Sequence, residues 1–223
     1  MSFMNDSQVP APQAPAPRGR KKQATRARIV ECAVPLFSES GYDKITMESI
    51  AKAAGTSRAN VYLHFKTKAE IVAAMLELLS PQVIESYRAL DALDVDDIAG
   101  LRRWVETSSQ LWRDRRRQLE TLEHALAVEP IVTDRWYQTL SESADVMTRY
   151  LDRFPDGRQR RGARLAAITM MLGFERTLFF VLVRSAAEDF DQVVDALTAQ
   201  WHAVLSGAAA PSALLAGQIE AAS

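Results

Sequence analysis

The segment GTSRANVYLHFKTK, residues 55–68, carries side chains that could read DNA bases. Arginine can pair with guanine, and asparagine with adenine, when a helix enters the major groove. The residues that would reach or approach base edges are Thr56, Ser57, Arg58, Ala59 and Asn60. Those left to contact flanking phosphates are Tyr62, His64, Lys66 and Lys68. Taken singly, Arg58 could also be a solvated surface charge and Tyr62 a half-buried packing residue.

Two short helices must position this segment. Thr46, itself a predicted DNA contact, is expected to cap the helix MESIAKAA, which stops at Gly55. A second helix then runs to about Phe65, with Val61 and Phe65 on its buried face because they are four residues apart. The turn AAGTS between the helices predicts a helix-turn-helix.

The charge of the chain is divided unevenly. Residues 18–68 hold eleven Lys or Arg against four acids, so this part carries +7 and the remainder −8, within a net charge of −1. A basic N-terminal quarter suggests that this end meets a polyanion. In the Pro-rich arm, residues 1–21, an extended Arg18-Gly19-Arg20 could enter an A·T-rich minor groove. The alternative is a basic tail that attracts phosphates without base preference.

The rest of the sequence predicts an all-α protein of about nine helices. The first helix covers 23–39 with a bend at Pro35, and Thr67 caps the fourth, which Pro81 should kink. Further helices are predicted at 96–113, 115–128, 131–154, 157–185 and 188–206. The predicted domains are an arm (1–21), a three-helix helix-turn-helix domain (22–68), a larger ligand-binding and dimerisation domain (69–206) and a tail (207–223).

The helix predicted at 157–185 is apolar around most of its circumference, so it must be covered on all sides. Pairing with a second subunit covers it most easily, and the helix at 188–206 would complete a four-helix interface. We therefore predict a homodimer.

Large side chains in the body occur at spacings that could line a cavity. The candidates are Trp104, Ser108, Leu111, Trp112, Trp136, Leu140, Met147, Met171, Phe174, Glu175 and Phe179. Such stripes also occur in solid cores. Glu175 and Arg176 lie within an apolar run, where charges need a polar ligand or an ion pair.

Several classes of function are disfavoured. GTSRA is one residue away from a G-x-S-x-G nucleophile elbow, but a helix rather than a strand precedes it. The three histidines have no zinc-ligand spacing. We therefore expect no catalytic residue, no metal and no cofactor. A single cysteine and an N-terminus without an apolar leader predict a cytoplasmic protein without a membrane span.

Residues 26–75 resemble the DNA-binding domain of TetR-family transcriptional regulators. The matching residues are Ile29, Ala33, Leu36, Phe37, Gly41, Tyr42, Thr46, Ile50, Ala51, Ala54, Gly55, Ser57, Tyr62, His64, Phe65 and Lys68. The resemblance implies that Tyr62, His64 and Lys68 hold phosphates, and that a homodimer reads a palindromic operator in double-stranded DNA. Pro35 departs from the family pattern.

The sequence is similar, more narrowly, to the subgroup around the ethionamide-resistance repressor. The similarity rests on PRGRKK in the arm, Trp104, Trp136, ERTLF at 175–179 and Trp201. It implies a mostly apolar tunnel for a small lipophilic effector, although Phe174 stands where an amide is expected.

These observations predict a ligand-responsive regulator, a repressor that an apolar ligand releases from its operator. One alternative is a constitutive dimeric DNA-binding protein whose body is only a dimerisation core. A serine hydrolase is the other.

Overall fold

The computed structural model describes residues 18–208, which form ten α-helices and no β-strand. The all-α prediction is therefore confirmed. The helices are α1 (Arg18–Ser40), α2 (Met47–Ala53), α3 (Arg58–Tyr62), α4 (Lys68–Ala92), α5 (Ile98–Asp114), α6 (Arg116–Val128), α7 (Pro130–Asp145), α8 (Thr148–Leu151), α9 (Gly157–Leu178) and α10 (Phe190–Leu205). A π-helical turn, Phe179–Val183, extends α9. The predicted arm as far as residue 17 and the tail from residue 209 lie outside the described residues.

Three side-chain caps define the helix-turn-helix. The Oγ1 of Thr46 accepts a hydrogen bond from the N–H of Ser49, and the Oγ of Ser57 accepts one from the N–H of Asn60, both at 3.1 Å. Thr67 caps α4 in the same way. Gly55 ends the turn after α2 with φ of +58°, in the left-handed region that glycine adopts without strain. The predicted caps Thr46 and Thr67 are confirmed, and Ser57 caps α3, which ends at Tyr62 rather than near Phe65.

The first helices share an apolar core with the body of the protein. Val61 and Phe65 are buried there as predicted, together with Ile50 and residues from the first turns of α4. Leu122 and Ala125 of α6 belong to the same buried cluster. Helix α1 is packed directly on α6, so the N-terminal domain contacts the body through α6 as well as being joined to it by α4.

The beginning of α1 corrects one prediction. The helix starts at Arg18, so Arg18, Gly19 and Arg20 are helical and not the extended segment that was expected. Residues 20–28 are Arg, Lys, Gln and Ala apart from one threonine, and these four types favour helix more than the preceding Pro-rich stretch does. Both α1 and α4 continue through their internal prolines.

The helix predicted over 131–154 is in fact two helices, α7 and α8. The carboxylate of Asp91, on α4, accepts hydrogen bonds from the backbone N–H groups of Arg149 and Tyr150, each at 2.8 Å. These N–H groups belong to the first turn of α8, so Asp91 caps a new helix where the pattern alone favoured continuation.

An aromatic cluster forms the centre of the body. The ring centroid of Trp104 lies 5.6 Å from that of Trp201, 5.4 Å from Phe174 and 5.6 Å from Tyr87. These residues come from α4, α5, α9 and α10, so the cluster holds four helices together.

Helix α9 with its π-helical extension is long and apolar enough, by length and composition, to cross a membrane. Its inward face, which includes Ala163, Ala167, Met171 and Leu178, is buried in the body core. The opposite face of this apolar run is exposed, so the helix packs on the body by one side.

Candidate DNA interface and ligand cavity

Helix α3 is held by one face and exposes the other. Val61 is fully buried and Phe65, just beyond the helix, is almost so, while Arg58, Ala59 and Tyr62 are exposed. The buried pair fixes the rotation of the helix about its own axis. Residues at its N-terminal end therefore face solvent together, as a helix that reads the major groove requires.

Two predicted base-reading side chains already have intramolecular partners. The Arg58 guanidinium carbon lies 5.5 Å from the centroid of the Tyr62 ring, and its Nη2 is 3.5 Å from the tyrosine hydroxyl. The amide nitrogen of Asn60 donates to the Oγ1 of Thr56 at 2.8 Å. Arg58 is exposed and would have to leave the Tyr62 ring to reach a base. Asn60 would have to break its hydrogen bond with Thr56 in order to pair with adenine through both amide atoms.

Lys68 has a structural contact that the sequence analysis missed. Its Nζ donates to the backbone oxygen of Tyr42 at 2.8 Å and lies 4.0 Å from the centroid of the Tyr42 ring. The ammonium group has three hydrogens, so two stay available for a phosphate. In the sequence, the residues that could have indicated this contact are Gly41 and Tyr42 of the α1–α2 loop.

His64 and Lys66 differ in their surroundings. His64 is half-buried, and its Nδ1 has no hydrogen-bond partner among residues 18–208. Burial, with smaller contributions from Lys22 and Arg26, lowers the pKa of the imidazole, so the ring is neutral near pH 7. Lys66 is exposed and free to contact a phosphate, and Thr46 and Arg20 are exposed as well.

A cavity of about 690 Å³, counting its open mouth, lies between α4, α5, α6, α7 and α9. Seven predicted residues line it: Trp104, Ser108, Leu111, Trp112, Trp136, Phe174 and Glu175. Most of the lining is aromatic or aliphatic, as in the pockets that bind small molecules. The lining also includes residues that sequence reasoning missed: Leu79, Gln82, Val83, Ser86, Tyr87, Arg115, Leu119 and Leu122.

Four predicted pocket residues do not line this cavity. Leu140, Met147 and Met171 are fully buried core residues, because neighbouring helices pack directly against them and leave no space. Phe179 lines an outer groove instead. Trp136 and Glu175 line both the groove and the cavity, so this pair forms part of the wall between them.

Glu175 and Arg176 have separate partners. Arg176 turns outward, where its Nη1 lies 2.8 Å from the Oε2 of Glu123. Glu175 is only 8% exposed and accepts a hydrogen bond from the indole N–H of Trp136 at 3.0 Å. Burial raises the pKa of the Glu175 carboxyl to about 8, because ionisation in an apolar site is costly.

Known proteins resemble the chain most clearly at its N-terminus. Residues 29–75 match the family described as bacterial regulatory proteins, tetR family. The HTH-type transcriptional regulator TtgR of Pseudomonas putida is 38% identical over 81 residues, which are 36% of this chain and 39% of that protein. The repressor KstR2 of Rhodococcus jostii is 32% identical over 94 residues, 42% of this chain and 46% of its own. The chain thus spans less than half the length of these relatives.

Solved structures share the fold over most of the chain. GusR of Salmonella enterica has a TM-score of 0.61 at 17% identity, covering 82% of this chain and 96% of its own. FadR of Thermus thermophilus, a TetR-family repressor solved with lauroyl-CoA, also has a TM-score of 0.61, at 16% identity and with coverage of 82% and 94%. At sequence identities this low, the structural similarity shows that the fold is shared and nothing about what the proteins bind.

Proposed function

We propose that the chain is a transcriptional regulator, because residues 29–75 match the tetR family of bacterial regulatory proteins. It acts as a cytoplasmic homodimer, represses from a palindromic operator and leaves DNA when a small, largely apolar ligand enters the cavity. The observation that carries this proposal is the exposed N-terminal end of α3, presented on a basic domain by a buried face.

Dimerisation is supported by an apolar outer face on α9. Leu165, Leu172 and Phe180 are 57%, 46% and 52% exposed, which leaves a stripe of large apolar side chains in solvent. On α10, Ala196 and Ala199 are exposed small residues that allow a neighbouring helix to approach closely. These faces fit the four-helix interface predicted from sequence.

A route from ligand to DNA is supported by α6 as well as by α4, which joins the N-terminal domain to the body and also lines the cavity. Leu119 and Leu122 of α6 line the cavity, and the Oγ1 of Thr121 donates to the backbone oxygen of Phe37 at 3.0 Å. At the end of α6, the Tyr42 hydroxyl donates to Glu129 at 2.6 Å. A ligand that displaces α6 therefore acts directly on the last turn of α1 and on the start of the α1–α2 loop. The paired recognition helices then lose their match to half-sites about one DNA turn apart.

The DNA-reading assignment is tested by the binding of two variants to a randomised operator library. Arg58→Ala should relax base choice at one position of each half-site, by about 1–3 kcal/mol. Lys66→Ala should weaken binding to all sequences and reduce the salt dependence of affinity. If both variants lose affinity uniformly across the library, α3 does not read bases through Arg58.

The operator itself can be identified by selecting bound fragments from the source genome.

A constitutive DNA-binding protein is the second candidate function, but the cavity lined by three tryptophans favours a ligand-responsive protein. In the hydrolase alternative Ser57 would be the nucleophile, yet its hydroxyl caps α3 and a helix precedes Gly55.

A further inference from the structure

The carboxyl group of Glu175 lines the cavity without a counter-ion. Its hydrogen bond from Trp136 engages Oε2, and Oε1 accepts none from the part of the chain that the structure describes. The adjacent Arg176 is paired with Glu123 on the outer side. A carboxylate in such a site is stable only with a positive partner or as the neutral acid.

The walls around Glu175 are aromatic. Tyr87, Trp104, Trp112, Trp136 and Phe174 line the same cavity, with the rings of Trp104 and Phe174 at 5.4 Å between centroids. Aromatic faces attract cations, most strongly tryptophan and most strongly where water is excluded. A carboxylate among such rings is the chemistry that recognises an organic ammonium group.

We propose that the effector is a lipophilic organic cation, a quaternary ammonium or a protonated amine, whose charge pairs with Glu175 inside the aromatic cavity. This inference rests on the proposed function and specifies its ligand. An apolar body fits the aliphatic and aromatic lining, and the charge supplies the partner that Glu175 lacks.

Arg115 is the cavity-lining cation that would favour an anionic ligand instead. It is half-buried, and its Nη2 donates to the Oε1 of Gln82 at 3.0 Å. Because Arg115 keeps access to water and already has a polar partner, its charge needs no ligand. Glu175 is only 8% exposed and has no cationic partner among the described residues, so its charge needs a ligand more than the charge of Arg115 does.

Binding of a cation is coupled to the release of a proton from Glu175. The charged or titratable groups that face it are Tyr87 from α4, Arg115 at the start of α6, Glu123 from α6 and Arg176 from α9. With the Glu175 pKa at about 8 the empty site is mostly protonated at pH 7, so the carboxyl proton passes to solvent as the ion pair forms. Affinity for a permanent cation should then rise about tenfold between pH 7 and pH 9.

The test uses three probes of similar shape: benzyltrimethylammonium, its neutral carbon isostere neopentylbenzene, and the anion 3-phenylpropionate. The tryptophans in the cavity wall report binding by their fluorescence. The wild-type protein should bind the cation at least ten times more tightly than the isostere, and only the cation should show the pH dependence. Calorimetry in two buffers of different ionisation enthalpy should register about one released proton at pH 7.

Glu175→Gln keeps the shape of the side chain and cannot ionise, so it should lose the preference for the cation while binding the neutral isostere as before. Glu106→Gln is the matched control, because Glu106 is exposed on α5 and paired with Arg102. It should behave like wild type.

The inference is overturned if the isostere or 3-phenylpropionate binds wild type more tightly than the cation does, or if E175Q keeps the preference. If the isostere binds best and releases operator DNA, ligand-responsive regulation stands and only the cation is wrong. If no probe binds a protein that holds its operator, the cation proposal also falls while DNA binding stands. A folded protein that selects no operator overturns the proposed function itself.

Discussion

Replacing Glu175 by glutamine should change how the stability of the protein depends on pH, even without ligand. Burial raises the pKa of this carboxyl to about 8 from 4.5. Between these values the folded chain keeps a proton that the unfolded chain has released. Since the folded-state pKa is the raised one, the stability contributed by Glu175 is fully present below pH 4.5 and is lost as the pH rises through about 8.

The size of the change in stability follows from the pH range between the unfolded and folded pKa values of Glu175. Each pH unit inside it lowers the free energy of unfolding by about 1.4 kcal/mol, so a window of roughly 3.5 units amounts to about 5 kcal/mol. The side chain of E175Q can still accept the Trp136 hydrogen bond but does not titrate. The unfolding free energy of E175Q relative to wild type should therefore increase by about 5 kcal/mol between pH 4.5 and pH 9.

Urea denaturation followed by circular dichroism, at one protein concentration and several pH values, measures this difference. All other titrating groups are common to both proteins and cancel. E106Q should track wild type throughout. A change of less than about 1 kcal/mol across the range would mean that Glu175 is ionised in the folded protein, and the reasoning from its burial would be refuted.

Tyr42→Phe removes the hydrogen bond to Glu129 and should lower the unfolding free energy by about 1–2 kcal/mol in urea; an unchanged midpoint would show that this bond adds nothing. Asp91→Ala leaves two backbone N–H groups of α8 without their acceptor, so thermal unfolding should report a loss of about 2–4 kcal/mol, and wild-type stability would contradict the capping role. Leu172→Arg should give monomers in sedimentation velocity, whereas Leu78→Arg, on an exposed face of α4, should not; a dimer in both would exclude the α9 face as the interface.

Local signals in the sequence predicted the N-terminal helices well. The caps Thr46, Ser57 and Thr67 each act on backbone groups only three residues away, so their residue types alone indicate where helices begin. The spacing of Val61 and Phe65 likewise predicts the buried face of α3, because a helix fixes which residues share a side.

Features made by distant residues could not be predicted in this way. The break before α8 depends on Asp91, more than fifty residues earlier in the chain. The cavity is the space that five packed helices leave unfilled, so a stripe of large side chains cannot tell Met171, in a solid core, from Phe174, beside a void. The start of α1 lies where prolines, which disfavour helix, give way to Arg, Lys, Gln and Ala, which favour it, and these opposing preferences do not fix the first helical residue.

The core that α6 shares with the helix-turn-helix limits how freely this domain can be recombined. Cutting the chain after α4 would expose the apolar side chains that Leu122 and Ala125 now cover. A chimera that joins this DNA-binding domain to a foreign sensor must therefore carry α6 along, or redesign the surface beneath it. In the proposed regulator, a change of α6 would therefore affect both DNA binding and ligand binding, since this helix packs in both cores.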